Sequence, residues 1–288
     1  MIKRLALIGT GLIGGSLALA LKSANYAEHI VGYNLDLAVS EQAKSRGIID
    51  SIAETIPEAI QSANVIVLAV PMGAMATVMT ALAPHLTNDM VLTDVGSVKA
   101  CVAQAAEQEL QANHVRFIPG HPIAGTEQSG PAAALATLYQ QQRVVLTPGE
   151  DADQQAVTII EAMWQAAGAE VVRLSVAQHD AMLAATSHLP HILAFNLVSL
   201  LAQGPDADDV LNYAAGGFRD FSRIASSHPA MWRDICLTNR EAILPILADY
   251  QQQLTHIKTA IEQQQGEALL TLFEQAKQMR DARFLAEK

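Results

Sequence analysis

The residue of this chain best placed to move a proton is a histidine held between a glycine and a proline, Gly120-His121-Pro122. Those flanks constrain the backbone and keep the ring off any helix face. An imidazole titrating near neutrality there suits a general base that accepts a hydroxyl proton while hydride leaves the same centre. The competing reading is a loop histidine bonded to backbone. Ser97, at the end of an earlier apolar run, is either a second hydroxyl at that centre or the N-cap of the helix that follows. In the same turn Lys99 reads as a surface charge, and Asp94 as a brace. Further on, His188 and His191 lie three residues apart around Pro190, which bends the helix they share. Two imidazoles on one face suit a polar substrate. A metal would find only Asp180 nearby as a further ligand, and none is expected. Arg219 and Arg223, four apart behind a flexible Gly216-Gly217 pair, offer planar forks to a dicarboxylate, or else form a surface salt-bridge set with Asp220.

A base beside departing hydride needs a hydride acceptor, and the first residues of the chain carry the signature of one. A short apolar run leads directly into Gly9-x-Gly11-x-x-Gly14, and a helical pattern follows at once, the order a dinucleotide-binding βαβ unit requires. Gly9 makes the tight turn, Gly11 admits a pyrophosphate to the backbone, and Gly14 lets helix and sheet approach. Leu12 and Ile13 sit at the helix N-terminus, where free N–H groups meet phosphates. Asn34, Val70 and Pro71, at the ends of two further strands, complete the expected cofactor contacts. Asn34 stands where NAD enzymes commonly carry an acid for the ribose hydroxyls, with Asp36 two residues on and no Arg beside it for a 2′-phosphate. The reading leans to NAD and keeps NADP open.

The elements that must position these groups alternate regularly. Strands are predicted over 29–34, 65–70, 91–95, 115–118, 143–146 and 170–174, with helices over 37–45, 74–86, 98–113 and 152–167. This is the pattern of an α/β, Rossmann-type doubly wound parallel sheet, which places Ser97 and His121 at the carboxyl edge where ligands bind. After Leu174 only helical patterns remain, over 210–215, 231–250 and 254–283. The expected division is a dinucleotide-binding domain, 1–174, and an all-α substrate and dimerisation domain, 175–288. Leu197, Leu200, Leu201, Leu244, Ile246 and Leu247 suit burial against a second subunit, so a homodimer is expected.

A formal net charge of −11 with no basic run argues against nucleic acid and anionic membrane surfaces as partners. Cys101 and Cys236 are too few for a disulfide framework and fit a reducing cytoplasm. The opening Met1-Ile-Lys-Arg-Leu reads as a strand and not a signal peptide, and no run of about eighteen uninterrupted apolar residues offers a membrane span.

Taken together, GTGLIGGSLALAL, TDVGSVK, PGHPIAGTEQSG, TSHLPHILAF, GGFRDFSRIA and HPAMWRDI resemble, in order, the TyrA dehydrogenases, whose members are prephenate, arogenate and cyclohexadienyl dehydrogenases. The resemblance spans residues 2–247. It implies NAD(P)-dependent oxidative decarboxylation of prephenate or arogenate in tyrosine biosynthesis. It also implies that His121 is the catalytic histidine, with Ser97 hydrogen-bonding at the same centre. By the same resemblance Arg223 grips a substrate carboxylate, His191 lies near the substrate side chain with His188 beside it, and Thr126 and Glu127 belong to the loop that closes over substrate. Arg219 stands where family members can carry Lys. The competing readings are another Rossmann dehydrogenase of the β-hydroxyacid type, which would need a catalytic lysine on a Gly-rich helix, and a non-catalytic dinucleotide-sensing regulator.

Overall fold

The chain opens with β1 (Ile2–Ile8), α1 (Leu12–Ser23), β2 (Ala27–Tyr33), α2 (Leu37–Ser45) and a two-residue β3 (Ser51–Ile52). It continues through α3 (Ile56–Ile60), β4 (Val65–Leu68), α4 (Met75–Leu82), β5 (Val91–Asp94), α5 (Lys99–Glu109) and β6 (Phe117–Ile118). The structure is a computed structural model that describes residues 1–204 and 206–285. Its six strands pair in parallel in the order β3-β2-β1-β4-β5-β6. β4 explains why the predicted strands are solidly apolar. Val65 and Val67 enter a core with Leu5 and Trp164 on one face, while Ile66 and Leu68 enter a second core with Met79 and Leu92 on the other. The order reverses between β1 and β4, and the crevice at their carboxyl ends is the binding edge of such a sheet.

Two glycines are needed to bring α1 against that edge. Gly9 has φ +98°, and a Cβ on it would lie 2.2 Å from the Ala69 carbonyl oxygen; one on Gly14 would lie 2.4 Å from the Gly9 carbonyl oxygen.

The parallel sheet stops at β6, earlier than the predicted strands suggest. Val115 and Arg116 belong to a 3₁₀ turn, Gln111–Arg116, so the strand predicted over 115–118 is only two residues long. Pro119 then follows without an amide N–H to continue the ladder. The chain re-pairs as β7 (Gly120–Pro122), antiparallel to β8 (Arg143–Leu146), which runs parallel to β9 (Glu170–Arg173). The last two predicted strands therefore form a separate three-stranded sheet with β7. His121 lies on a strand opposite Val145, not in a loop. α6 (Gln154–Ala166) connects β8 and β9.

α7 (Val176–Leu183), a π-helical turn over Ala184–His188 and α8 (Leu189–Ala202) run on as one 27-residue helix. Pro190 has no N–H to donate into this helix, and the backbone widens just before it. By length and composition this helix alone, among the described residues, is apolar enough to cross a membrane, which the sequence reading did not anticipate. Its His179 and Asp180 nevertheless bond to protein groups.

α9 (Ala207–Asn212), α10 (Gly216–Ser222) and α11 (Pro229–Thr238) follow. Gly216 and Gly217 form the first turn of α10 rather than the flexible pair expected. The helix expected over 231–250 breaks at Asn239, and the one expected over 254–283 breaks near Gln264, which has φ +51°. By contacts the chain divides after Arg240. The second unit consists of most of α12 (Arg240–Glu262) together with α13 (Gly266–Phe284), and exposes Leu244, Ile261, Leu270 and Phe273. Residues 286–288, where the expected second domain ends, lie outside the described residues.

Candidate active site

His121 is partly buried, and its Nδ1 lies 2.8 Å from Nε2 of His179 on α7. The His179 Nδ1 lies in turn 2.7 Å from Oδ1 of Asp180. A Ser175–Gln178 capping box starts α7 and places both residues in its early turns. The Asp180 carboxylate also accepts the Lys99 and Ala100 amides of α5, each at 2.8 Å. Burial opposes charge on this carboxyl, yet the bonds from His179 and the two amides outweigh it and hold its pKa below the ordinary value. Burial pushes the His121 pKa well down, and the neighbouring His179, Lys99 and His188 push it further. His121 is thus a neutral, proton-accepting imidazole near pH 7.

Beneath His121 lies an ion pair that corrects the reading of Lys99 as a surface charge. Lys99 and Asp94 are fully buried side chains 2.5 Å apart. The Lys99 ammonium also donates to the Gly120 carbonyl at 2.7 Å. Asp94 braces the turn after β5, as expected, accepting the Gly96 amide at 2.7 Å, and also holds the start of β7 through the Gly120 amide at 3.0 Å. Ser97 does not cap α5: the N-cap is Val98, and Asp180 takes the amides a capping side chain would take. Ser97 stays partly exposed at the mouth of this turn.

His188 and His191 meet around one indole. His191 stacks on Trp232 with centroids 3.7 Å apart, and its Nδ1 is bonded to the Ser187 carbonyl at 2.9 Å. His188 packs edge-on to Trp232 at 6.0 Å and accepts at Nδ1 from the Asn239 side-chain amide at 3.0 Å. Asn239 donates as well to the Asp180 carbonyl, which ties this cluster to the His179–Asp180 pair. His188 is only 1% exposed, so of the two imidazoles expected to face a cleft, it backs the cluster and His191 fronts it.

Burial is the main reason the His188 pKa falls to about 4; Asp180 opposes the shift, and His179 and His191 add to it. Between its ordinary value of 6.5 and about 4 the unfolded chain binds a proton that the folded chain refuses. Stability therefore falls as pH drops through that window, by roughly 3 kcal/mol for this one group. His188→Asn, which keeps an acceptor for Asn239, should flatten that acid slope in urea unfolding followed from pH 7 to 4.

Thr126 and Glu127 lie on the loop that follows β7. Arg223 forms an ion pair with Glu127 and lies near enough to His191 to lower its pKa further, after burial. Thr126 Oγ1 accepts the Gln128 amide at 3.2 Å. Arg223 therefore pairs with Glu127, not in a set with Arg219 and Asp220; Arg219 is exposed and holds none of these groups.

On the cofactor side, Gly11 is the N-cap of α1 with no side-chain cap, and nothing lies within 4 Å of where its Cβ would be. That open cradle beside free amide groups fits a pyrophosphate. Leu12 is buried, Ile13 is half-buried and accepts the Tyr139 hydroxyl through its carbonyl at 2.5 Å, and Gly125, beyond His121, approaches the Ile13 side chain. Asn34 accepts the Asp36 amide, while Asp36 caps α2. Val70 and Pro71 lead from β4 into the 3₁₀ turn Met72–Ala74. Among the described residues no group of three or more His, Cys, Asp or Glu is placed to hold a metal ion.

Residues 17–173 match the family model for the nucleotide-binding domain of prephenate dehydrogenase, and residues 175–275 match the model for its dimerization domain. Cyclohexadienyl dehydrogenase of Zymomonas mobilis is 37% identical, over 96% of this chain and 95% of its own. Prephenate dehydrogenase of Bacillus subtilis is 36% identical, over 98% of this chain and 76% of its own. Among solved structures, prephenate dehydrogenase of Aquifex aeolicus in complex with hydroxyphenyl propionate and NAD+ superimposes with a TM-score of 0.91 at 34% identity, covering 97% of this chain and 98% of that one.

Proposed function

The chain belongs to the prephenate dehydrogenase family, NAD-dependent oxidoreductases of tyrosine biosynthesis, and on that basis we propose that His121 is the base of an oxidative decarboxylation. The observation that carries this reading is a neutral imidazole on β7, beside the carboxyl edge of the sheet, with one ring nitrogen engaged by His179 and the other without a hydrogen-bond partner among the described residues. NAD, when bound, supplies the hydride acceptor. His121 takes the proton of the ring hydroxyl as hydride leaves the carbon that bears it. Loss of the ring carboxylate as CO2 then aromatises the ring, and the proton held on His121 returns to the phenolate oxygen. Ser97 hydrogen-bonds the same hydroxyl. Aromatisation drives the reaction, so the chain's main tasks are to orient the substrate and hold its charges.

Arg223 grips a substrate carboxylate, which takes the place of Glu127 on the guanidinium, with Thr126 on the same loop. His191 flanks the side chain against Trp232, with His188 behind it, and Arg219 stands at the rim. Arg223→Ala should raise the substrate KM by about tenfold or more, the worth of one charge-assisted bond, with a smaller change in kcat. An unchanged KM would place the carboxylate elsewhere.

Gly9, Gly11, Leu12, Ile13 and Gly14 would hold the cofactor, with Asn34 toward its ribose and Val70 and Pro71 at its flank. NAD is the proposed preference, because no cation follows Asn34 to receive a 2′-phosphate. Gly11→Ala should weaken NAD binding and leave the unfolding midpoint unchanged, because its Cβ meets only open space. Gly14→Ala should instead destabilise the fold, by about 1–3 kcal/mol. Fluorescence titration with NAD and thermal unfolding separate the two.

The proposed division of labour is 1–174 for the nucleotide and 175–288 for substrate and a homodimer contact. Exposed Leu200, Leu237, Leu244, Leu270 and Phe273 support that contact. Free Cys101 and Cys236 fit a cytoplasmic setting. Offering prephenate and arogenate separately, with NAD and with NADP, tests substrate and cofactor choice together. NAD reduction with at least one substrate is expected, and reduction with neither would overturn the reading.

A further inference from the structure

We propose that His179 and Asp180 are positioning residues that set the tautomer of His121, so that its Nε2 presents a lone pair to the substrate hydroxyl. This rests on the reading of His121 as the base. Asp180 spends its two oxygens on the amides that open α5, and Oδ1 also faces the His179 Nδ1 at 2.7 Å. An ionised carboxylate only accepts, so the His179 Nδ1 carries a proton and donates it. In neutral His179 the Nε2 is then an acceptor. The 2.8 Å contact obliges the His121 Nδ1 to donate, which leaves the His121 Nε2 unprotonated. The order is carboxylate, imidazole, imidazole, with every proton pointing toward Asp180. When His121 takes up the substrate proton, its positive charge is stabilised through His179 by the fixed charge of Asp180. A proton gained by His179 reverses the chain: its Nε2 then donates to the His121 Nδ1 and leaves the His121 Nε2–H facing the substrate, the wrong tautomer for a base. Among the described residues, the other ionisable groups around the pair are Lys99 with Asp94 beneath β7, Cys101 on α5, and His188 across Asn239.

Two substitutions separate positioning from packing. His179→Leu removes the acceptor and keeps the bulk, whereas His179→Gln can place a carbonyl oxygen where Nε2 stands. The proposal expects His179→Leu to lose at least about tenfold in kcat, with NAD affinity retained and the acid limb of the kcat/KM profile displaced. It expects His179→Gln to recover most of that loss. Equal losses in both variants that follow their unfolding midpoints would show a structural role and overturn the proposal. Nitrogen-15 NMR of the histidine rings in the wild-type protein with NAD bound reads the tautomer without any substitution. A proton on the His121 Nδ1 is expected, and a proton on Nε2 near neutral pH would overturn the inference even if both variants fail to fold. Full activity in His121→Asn would remove the base reading itself. Loss of activity there, with His179→Leu unaffected, would remove only the relay.

Discussion

His121→Asn should lower kcat by about 10²- to 10⁴-fold, the span that general-base catalysis contributes, while NAD affinity stays near wild type. Asparagine keeps a polar group of similar reach on β7 but cannot hold a proton at neutral pH. The ring's hydrogen bond runs to His179, away from the glycine turn and α1, so its loss should disturb neither. The pH profile sharpens the expectation. Because burial and the positive potential of its neighbours hold the His121 pKa well below 6.5, the wild-type enzyme should keep its kcat/KM on the acid side of neutrality and lose it only as pH falls through that lowered value. The residual activity of the variant should lack that limb. Steady-state kinetics from pH 5 to 9, with NAD binding followed by fluorescence, check both parts.

Lys99→Met should cost about 3–5 kcal/mol of stability, because it leaves the Asp94 carboxylate buried with no cation. Methionine matches the length of the lysine stem, so a cavity contributes little. Asp94 would retain only the Gly96 and Gly120 amides, and the Gly120 carbonyl would lose its donor. The protein that remains folded should also turn over more slowly, since Gly120 directly precedes the base. Denaturant unfolding measures the loss, and the Asp94→Asn/Lys99→Met double variant should recover much of it by removing the orphaned charge as well. A single variant as stable as wild type would show that water reaches Asp94 and that the pair is not the brace inferred.

The parallel strands were legible because buried strands carry their signal locally: four apolar residues at β4 specify burial on both faces without reference to anything distant. The glycine turn was legible because Gly9, Gly11 and Gly14 stand together between β1 and α1, although the backbone that Gly9 must clear, at Ala69, lies beyond β4. β7 was not, because a three-residue strand beginning at a glycine and ending at a proline has no periodicity, and its partner lies more than twenty residues away. Lys99 was misread because lysine at a helix start is ordinarily solvated, and only the tertiary fold brings the Gly120 carbonyl to its ammonium. His179 escaped notice altogether. Its sole local signal was the Ser175–Gln178 box that starts α7, and nothing nearby in sequence says that its ring reaches His121. Of the two readings of Ser97, the cap fails because Asp180, 81 residues beyond Lys99, takes the amides instead. What remained hidden was the layer of side chains that supports the site across large sequence separations.

The most direct test is to mix the purified protein with prephenate and NAD and to follow NADH and CO2 together. Substrate-dependent NADH formation with an equal amount of CO2 is the predicted result. NAD binding with no reduction, or reduction without release of CO2, would contradict an oxidative decarboxylation carried out at His121.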